Sequence, residues 1–212
     1  MNKIYIILFA ILFGCKNDTT ISQKNAENNY YKNCGIEGSA KDESLKSLNR
    51  LKNRFSSPTD KDINTEITLD KILQAGDDYN RWNTSQAAKI KGYIIEVKKG
   101  GVETCNCKMK EEIDRDTHIE IVLDAMSESK TKRMVIEVTP RIRKLMEGKG
   151  INWSTRSLRD QFLGRWVNIT GWMLFDKEHA DEAENTKPGR ERNWRASAWE
   201  IHPVTGIEVV GR

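Results

Sequence analysis

The stretch MVIEVTPRIRKLM, residues 134–146, combines a strand pattern with a helix pattern. Apolar side chains occupy every second position from Met134 to Val138, which is typical of a strand with one buried face. Pro140 ends this alternation, and Ile142 and Met146 then follow at helical spacing. The sequence therefore predicts a strand that is followed directly by a helix.

Further strand patterns flank these two elements on both sides. Residues 90–97 are rich in β-branched side chains, and residues 117–123 place apolar side chains on one face and mixed side chains on the other. Residues 165–175 carry apolar or aromatic side chains on both faces, as a strand covered on two sides does. Residues 194–201 give one more strand pattern near the end of the chain.

The order of these elements favours a particular fold class. His202 and Pro203 are expected to end the last long strand, and residues 207–210 to add a short one. Three strands, a helical insert and two strands follow one another as in the five-stranded OB-fold barrel. We therefore expect a mainly β, OB-fold-like barrel with its helical insert between strands 3 and 4. A split α+β sheet with helices on one face would show similar periodicity and is the alternative.

A helix is also predicted ahead of the barrel. Leu45, Leu48, Leu51 and Phe55 recur at spacings of three and four, which indicates a short amphipathic helix. The preceding residues, 16–38, are rich in Asn, Lys, Thr and Ser and lack a periodic apolar pattern, so a tether is expected there.

Composition excludes several classes of protein. Of the 212 residues, 37% are hydrophobic and 31% charged, which suits one modest domain with a packed core. Four cysteines are too few for a disulfide scaffold, and four prolines exclude a collagen-like chain. The strongly apolar residues 4–13 are too few to cross a bilayer, which takes about 20 residues. The formal net charge of +4 is small.

The first residues follow the pattern of a secretory signal. Lys3 precedes the apolar run, and Gly14 stands directly before Cys15. A small residue followed by cysteine resembles the lipobox of bacterial lipoproteins, which implies lipidation of Cys15 and removal of residues 1–14. An uncleaved anchor helix is the alternative. Lys16 stands where an aspartate would favour the inner membrane in enteric bacteria, so the expected location is the outer membrane, facing the periplasm or the cell surface.

The expected domains are therefore a signal peptide at residues 1–14, a lipid-anchored tether with a short helix at residues 15–60, and an OB-fold-like domain at residues 61–212. Five segments of the last part carry a resemblance to other proteins: GVETCNC (101–107), DTHI (116–119), VIEVTPR (135–141), GWMLFD (171–176) and WEIHPVT (199–205). As a set they are similar to segments of uncharacterised exported bacterial proteins with an OB-like domain. The resemblance spans roughly residues 82–210 and implies no activity.

Candidate binding residues follow from the OB-fold interpretation. Such barrels bind ligands on strands 2 and 3, between the loops that join strands 1 to 2 and strands 4 to 5. In this chain the candidates are His118 and Glu120 on strand 2, Trp172 on the neighbouring strand 4, and His179, Arg190 and Arg192 in the loop between strands 4 and 5. Together with the expected location, they suggest a binding module for a glycan, an envelope protein or another anionic ligand. Nucleic acid is an unfavourable partner, because the net charge is low and the expected location is outside the cytoplasm.

The remaining cysteines leave three interpretations open. Outside the cytoplasm free cysteines tend to pair, so Cys34 is expected to join Cys105 or Cys107. Free thiols are the second interpretation. Metal binding is the third, and its candidate ligands are Cys105, Cys107, His118, His179 and His202. The sequence shows no second paired motif of the kind that structural zinc sites use.

Catalysis is the alternative function. His118 follows Asp116 closely and His179 follows Asp176, so each offers a base beside a carboxylate. A metal-dependent hydrolase of the nuclease or phosphoesterase type could use both histidines with zinc. The usual nucleophile, phosphate-binding and zinc-protease motifs are missing from the sequence.

Overall fold

The structure is a computed structural model that describes residues 31–211. The predicted signal peptide and Cys15 lie outside the described residues. Each helix between residues 31 and 211 is too short or too polar to span a bilayer.

Five strands form a closed barrel: β1 (Ala87–Lys99), β2 (Thr117–Val122), β3 (Met134–Val138), β4 (Trp166–Phe175) and β5 (Trp199–Val209). Their order around the barrel is β1-β2-β3-β5-β4, and β1 closes the ring by pairing with β4. β3 and β5 pair in parallel, whereas the other neighbours are antiparallel. The predicted five-stranded barrel is confirmed, and it is consistent with an OB fold.

Four α-helices accompany the barrel in the described residues: α1 (Glu43–Lys52), α2 (Leu69–Leu73), α3 (Pro140–Glu147) and α4 (Thr155–Phe162). α3 and α4 lie between β3 and β4 in the chain. The hydroxyl of Thr139 accepts a hydrogen bond from the amide of Ile142 (3.3 Å), which caps α3. Pro140 occupies the first turn, where its missing N–H has no partner to lose. The residue that ends the strand pattern therefore also begins the helix.

Strand alternation divides the barrel into an apolar interior and a polar outer face. Ile119 and Ile121 of β2 and Ile136 of β3 point into one buried apolar cluster. Their neighbours His118 and Glu137 point the other way, because successive side chains of a strand lie on opposite faces. Burying the inner set stabilises the barrel by roughly 1.5–3 kcal/mol for each large aliphatic side chain.

The last strand differs from the prediction. Instead of ending at His202 and Pro203 with a separate strand after residue 207, β5 runs through both residues to Val209. The pairing of β4 with β5 shifts register between Gly171 and Met173, opposite this dipeptide. Proline cannot donate to the ladder, but at an irregularity the ladder needs no donor, so the strand continues.

The chain from residue 31 to residue 60 is attached to the barrel, although a tether was expected up to residue 38. Cys34 forms a disulfide with Cys107 in the loop after β1. The side-chain amide of Asn53 donates to the carbonyls of Ile36 and Cys105, both at 2.9 Å. Residues 31–38 are therefore held by a disulfide and by side-chain hydrogen bonds. Their composition did not indicate this attachment, whereas the expected pairing of Cys34 with Cys105 or Cys107 did.

The β4–β5 pair yields a stability prediction. A Cβ at Gly171 would overlap the carbonyl oxygen of Pro203 and would lie 2.9 Å from Cα of Val204. Because backbone atoms cannot turn aside as side chains do, we expect Gly171→Ala to lower the free energy of unfolding by about 1–3 kcal/mol. Urea denaturation would measure the change.

Gly206→Ala is the matched control, since the nearest atom to its new Cβ is 3.5 Å away. We expect that variant to stay within about 0.5 kcal/mol of the wild type. Equal stabilities of the two variants would contradict the close approach of β4 and β5 at Gly171.

Candidate functional site

One charged network lies on the outer face of β2, β3 and β5 and contains all three histidines of the chain. Two loops cover it: residues 100–116, between β1 and β2, and residues 176–198, between β4 and β5. Five carboxylates are buried beneath them, namely Asp116, Glu120, Glu137, Asp176 and Glu200. Four of these five side chains come from the segments 116–119, 135–141, 171–176 and 199–205, which the sequence analysis singled out.

Lys52 of α1 joins the two covering loops. Its ammonium lies 2.6 Å from a carboxylate oxygen of Glu103 in the first loop and 3.6 Å from one of Glu178 in the second. Burial alone would lower the pKa of this buried lysine, but the surrounding carboxylates, Glu103 foremost and then Asp176, raise it well above its usual value. Lys52 therefore stays charged and draws the loops to the same end of the barrel.

His202 of β5 lies at the centre of the network and is fully buried. Its Nδ1 lies 3.3 Å from a carboxylate oxygen of Glu137 and 3.4 Å from one of Glu200. Its Nε2 lies 3.5 Å from Oδ2 of Asp116. Burial opposes a charge on the ring, yet the nearby carboxylates raise the pKa of His202. Sequence reasoning counted His202 among possible metal ligands but favoured a role in ending the last strand, and it did not bring His202 together with Glu137 and Asp116.

His118 and Glu120 are the predicted binding residues on β2, and both are already paired within the protein. The ring of His118 lies 3.0 Å from Glu137 and 3.3 Å from Glu120. Burial lowers the pKa of His118, but these two carboxylates outweigh it and raise the pKa to about 9. Glu120 also accepts from Lys98 and Arg133, each at 2.8 Å. The carboxylate therefore has no oxygen left over for an external ligand.

His179 belongs to the same network and shares one indole neighbour with His118. The Trp194 ring centroid lies 5.6 Å from that of His118 and 6.3 Å from that of His179. Nδ1 of His179 lies 2.6 Å from Oδ2 of Asp176. This hydrogen bond raises the pKa of His179, whereas burial lowers it less. The two predicted histidines are thus close to one tryptophan, each with its own carboxylates.

Arg195 connects Asp176, the partner of His179, with Glu200, which lies beside His202. Its guanidinium lies 2.7 Å from Glu200 and 3.8 Å from Asp176, and its side chain is only 1% exposed. It also stacks over the Trp194 ring at 5.2 Å. An arginine suits this position, because its planar guanidinium can serve two carboxylates and an aromatic face at once.

Three predicted binding residues lie outside the network. The indole of Trp172 donates to the carbonyl of Ser56 (2.7 Å), and the guanidinium of Arg54 covers its ring at 5.0 Å. Arg190 and Arg192 pair with Asp181 of their own loop, at 3.9 and 3.1 Å. The acidic half of that loop therefore takes up the cations that had been assigned to an anionic ligand.

The cysteines divide between a disulfide and a thiol. Cys34 pairs with Cys107, whereas Cys105 is a buried free thiol. Its burial raises the pKa of the thiol well above the usual value. Sγ of Cys105 lies 3.4 Å from Glu103 and 4.0 Å from Asp116. Cys105 thus borders the network at the end that Lys52 holds.

A groove of about 880 Å³ opens away from this network. It lies between α3, the turn before α4, the turn Glu112–Asp114 and the first described residue, Tyr31. Ile113 and Ile151 flank it with 63% and 44% of their surface exposed, whereas Trp153 and Tyr31 are only 6% and 8% exposed. The accessible apolar surface of the groove is therefore aliphatic.

Cations line the same groove. Arg143 is buried in its wall, where the guanidinium donates to the hydroxyl of Thr117 (2.7 Å) and the carbonyl of Ile113 (2.9 Å). Lys32 and Lys144 are exposed at its edge. This groove was not predicted from the sequence, because the segments that line it are far apart in the chain.

The Asp176–His179 pair predicts a dependence of stability on pH. A histidine whose pKa is raised in the folded state stabilises the fold below its unfolded-state pKa of about 6.5, and loses that effect as the pH rises through the folded-state pKa. We therefore expect the wild type to have a higher free energy of unfolding than His179→Gln at pH 5. The difference should be less than about 1 kcal/mol, because the ring is half-exposed, and it should be smaller at pH 9.

Urea denaturation of both proteins at the two pH values would measure this difference. Lys110→Gln, an exposed substitution, is the control, and its difference from the wild type should stay constant. A His179→Gln difference that is the same at both pH values would contradict the coupling to Asp176.

The chain was compared with protein-family models and with curated proteins. No protein-family model matches the chain, and no curated protein matches it.

Proposed function

We propose that the protein is an exported, lipid-anchored binding module of the outer membrane, with an OB-fold-like barrel, that binds a protein segment of the cell envelope in the groove at α3. The groove carries the proposal, because its volume of about 880 Å³ lies within the usual range for ligand sites, about 300–1,000 Å³. Arg143 and Tyr31 in its walls also have displaced pKa values. Burial lowers the pKa of Arg143, and burial with a hydrogen bond to Asp114 raises that of Tyr31 to about 12.

The surface of the groove favours a protein ligand over a glycan. Glycans are held largely by aromatic faces and hydrogen bonds, but the aromatic rings of Trp153 and Tyr31 are almost covered. Exposed Ile113 and Ile151 instead suit aliphatic side chains of a partner. The same covered rings offer little stacking surface for the bases of a nucleic acid.

The charges of the groove favour acidic residues in that partner. Lys32, Arg143 and Lys144 line it, against Glu112 and Glu147. Complementary charge gives specificity and a faster association more than raw affinity. We therefore propose a segment with aliphatic anchors and neighbouring Asp or Glu side chains.

The face that OB folds commonly use for binding is covered in this protein, which supports the groove at α3 as the binding site. Here strands 2 and 3 lie beneath the protein's own loops, and Glu120 there is paired with Lys98 and Arg133. An anionic ligand would have to displace Glu120 from those cations, on a predominantly acidic face. Lys32 at the edge of the groove is paired with Asp114 (2.7 Å), but Lys144 is exposed there, and the open groove is the better site.

The alternative function, a metal-dependent hydrolase that uses His118 and His179, has less geometric support. Within the described residues, neither His118 nor His179 belongs to a group of side chains close enough together to bind one metal ion. The ring of Trp194 also lies beside both.

The lipid anchor is tested by Cys15→Ser in the full-length precursor. Without the thiol no lipid can be attached, so we expect unprocessed precursor in cells and loss of the lipid mass, measured by intact mass and membrane fractionation. Lys16→Ser is the control for processing and should still give the lipidated form. Unchanged processing and fractionation of Cys15→Ser would overturn the lipoprotein assignment.

The groove is tested by cross-linking in cells. A photoreactive amino acid at Ile151 is expected to give a discrete protein adduct, because this side chain flanks the groove, and Ile113→Glu should abolish the adduct. Met126, which is 83% exposed but does not line the groove, is the control position. Mass spectrometry of the adduct would identify the bound segment.

The charge requirement can then be measured on that segment as a synthetic peptide. Lys144→Glu should weaken its affinity about ten-fold, by reversing a charge at the groove, whereas Lys132→Glu should not. An adduct of the same kind from Met126, an adduct with a polysaccharide instead of a protein, or equal effects of the two lysine variants would overturn the proposal.

A further inference from the structure

Three buried side chains from distant parts of the chain meet in the network described above: Asp116, just before β2, Glu137 on β3 and His202 on β5. Their donor atoms all lie within 4.8 Å of one another. The side chains belong to residues that are 1%, 6% and 0% exposed. We call these three residues the buried triad.

The histidine of the triad has an unmet hydrogen-bonding nitrogen. Nδ1 of His202 is directed at Glu200 and Glu137, but Nε2 makes no hydrogen bond within the described residues. It lies 3.5 Å from Oδ2 of Asp116, so it points at a carboxylate without bonding it well. A buried polar atom without a partner costs about 1–3 kcal/mol. A buried nitrogen without a partner that points at a carboxylate is the arrangement expected when both atoms bind the same metal ion.

In the described residues, no lysine or arginine forms an ion pair with the two carboxylates of the triad. Glu200 is paired with Arg195 and Glu103 with Lys52, so these fixed cations are already in use. In the described part of the chain, the ion pairs of Asp116 and Glu137 are with histidines alone. Asp116 also accepts hydrogen bonds from two neutral groups, the side-chain amide of Asn106 (3.0 Å) and the thiol of Cys105 (4.0 Å).

We propose that the buried triad binds one divalent transition-metal ion of the zinc class. An imidazole with two carboxylates is a donor set that Zn²⁺ accepts, with bonds of about 2.0–2.2 Å. Ca²⁺ and Mg²⁺ instead prefer oxygen donors throughout. The neighbouring group Glu103, Cys105 and Asp116 shares a carboxylate with the triad and adds a thiol, so the surroundings also favour a softer ion.

The ion would act as a cross-link on the outer face of the barrel. It would join the start of β2 to β3 and β5, and through Asp116 and its partner Asn106 it would hold the first covering loop. This role goes beyond binding at the α3 groove, which lies on other residues and does not depend on the metal.

The test is the metal content of the full chain purified from cells without chelators. We expect about one equivalent of zinc per chain after dialysis, and at least a ten-fold lower content in His202→Gln and in Glu137→Gln. His179→Gln is the matched control, since it removes another histidine of the network that lies outside the triad, and it should keep its zinc. Far-UV circular dichroism would show that each variant is folded.

Wild-type protein that contains no transition metal, and whose thermal midpoint is unchanged when it is refolded with Zn²⁺, would overturn the proposal. Zinc retained by folded His202→Gln would do the same. If both triad variants fail to fold, X-ray absorption of the zinc-loaded wild type decides. One imidazole with oxygen donors supports the triad, whereas two or more imidazoles, or none, overturn it.

Discussion

Carboxylates taken out of water must be matched by protons, cations or hydrogen bonds, and the architecture of this protein depends on how that is done. An unpaired buried charge costs several kcal/mol even after the protein relaxes. Five acidic side chains lie beneath the two long loops. Lys52 and Arg195 each serve carboxylates from different segments of the chain. Meeting that requirement is what brings α1 and both loops over the same face of the barrel.

Closure of that face changes which part of the molecule is open to a partner. An OB-like barrel offers its second and third strands as a ready surface, but here the covering loops use that surface for internal ion pairs. The open groove arises instead where the helical insert meets the first loop. The Cys34–Cys107 disulfide fixes the segment that contains Tyr31 against that loop. The same bond therefore holds one wall of the groove and the first loop that covers the network.

The barrel was largely predictable, because alternation with a period of two is a local property of each strand. The five strands were found, and Pro140 was recognised as the residue at which the pattern changes. The continuation of β5 through His202 and Pro203 was not, because it depends on an irregularity in the partner strand β4. Among the predicted binding residues, His118, Glu120 and His179 belong to the network, whereas Trp172, Arg190 and Arg192 are used in other contacts. None of the six lines the groove at α3, because the walls of that groove come from segments that meet only in the tertiary structure.

The sequence by itself determined which side chains face the barrel interior, since strand alternation sorts residues by neighbours along the chain. It also put the histidines on the mixed faces or in the loops. Only the tertiary structure decided that Asp116, Glu137 and His202 meet, and that Cys34 pairs with Cys107 instead of Cys105. The physical reason is that burial and pairing of charges depend on distances between residues far apart in sequence, which are set by the path of the chain through the closed barrel.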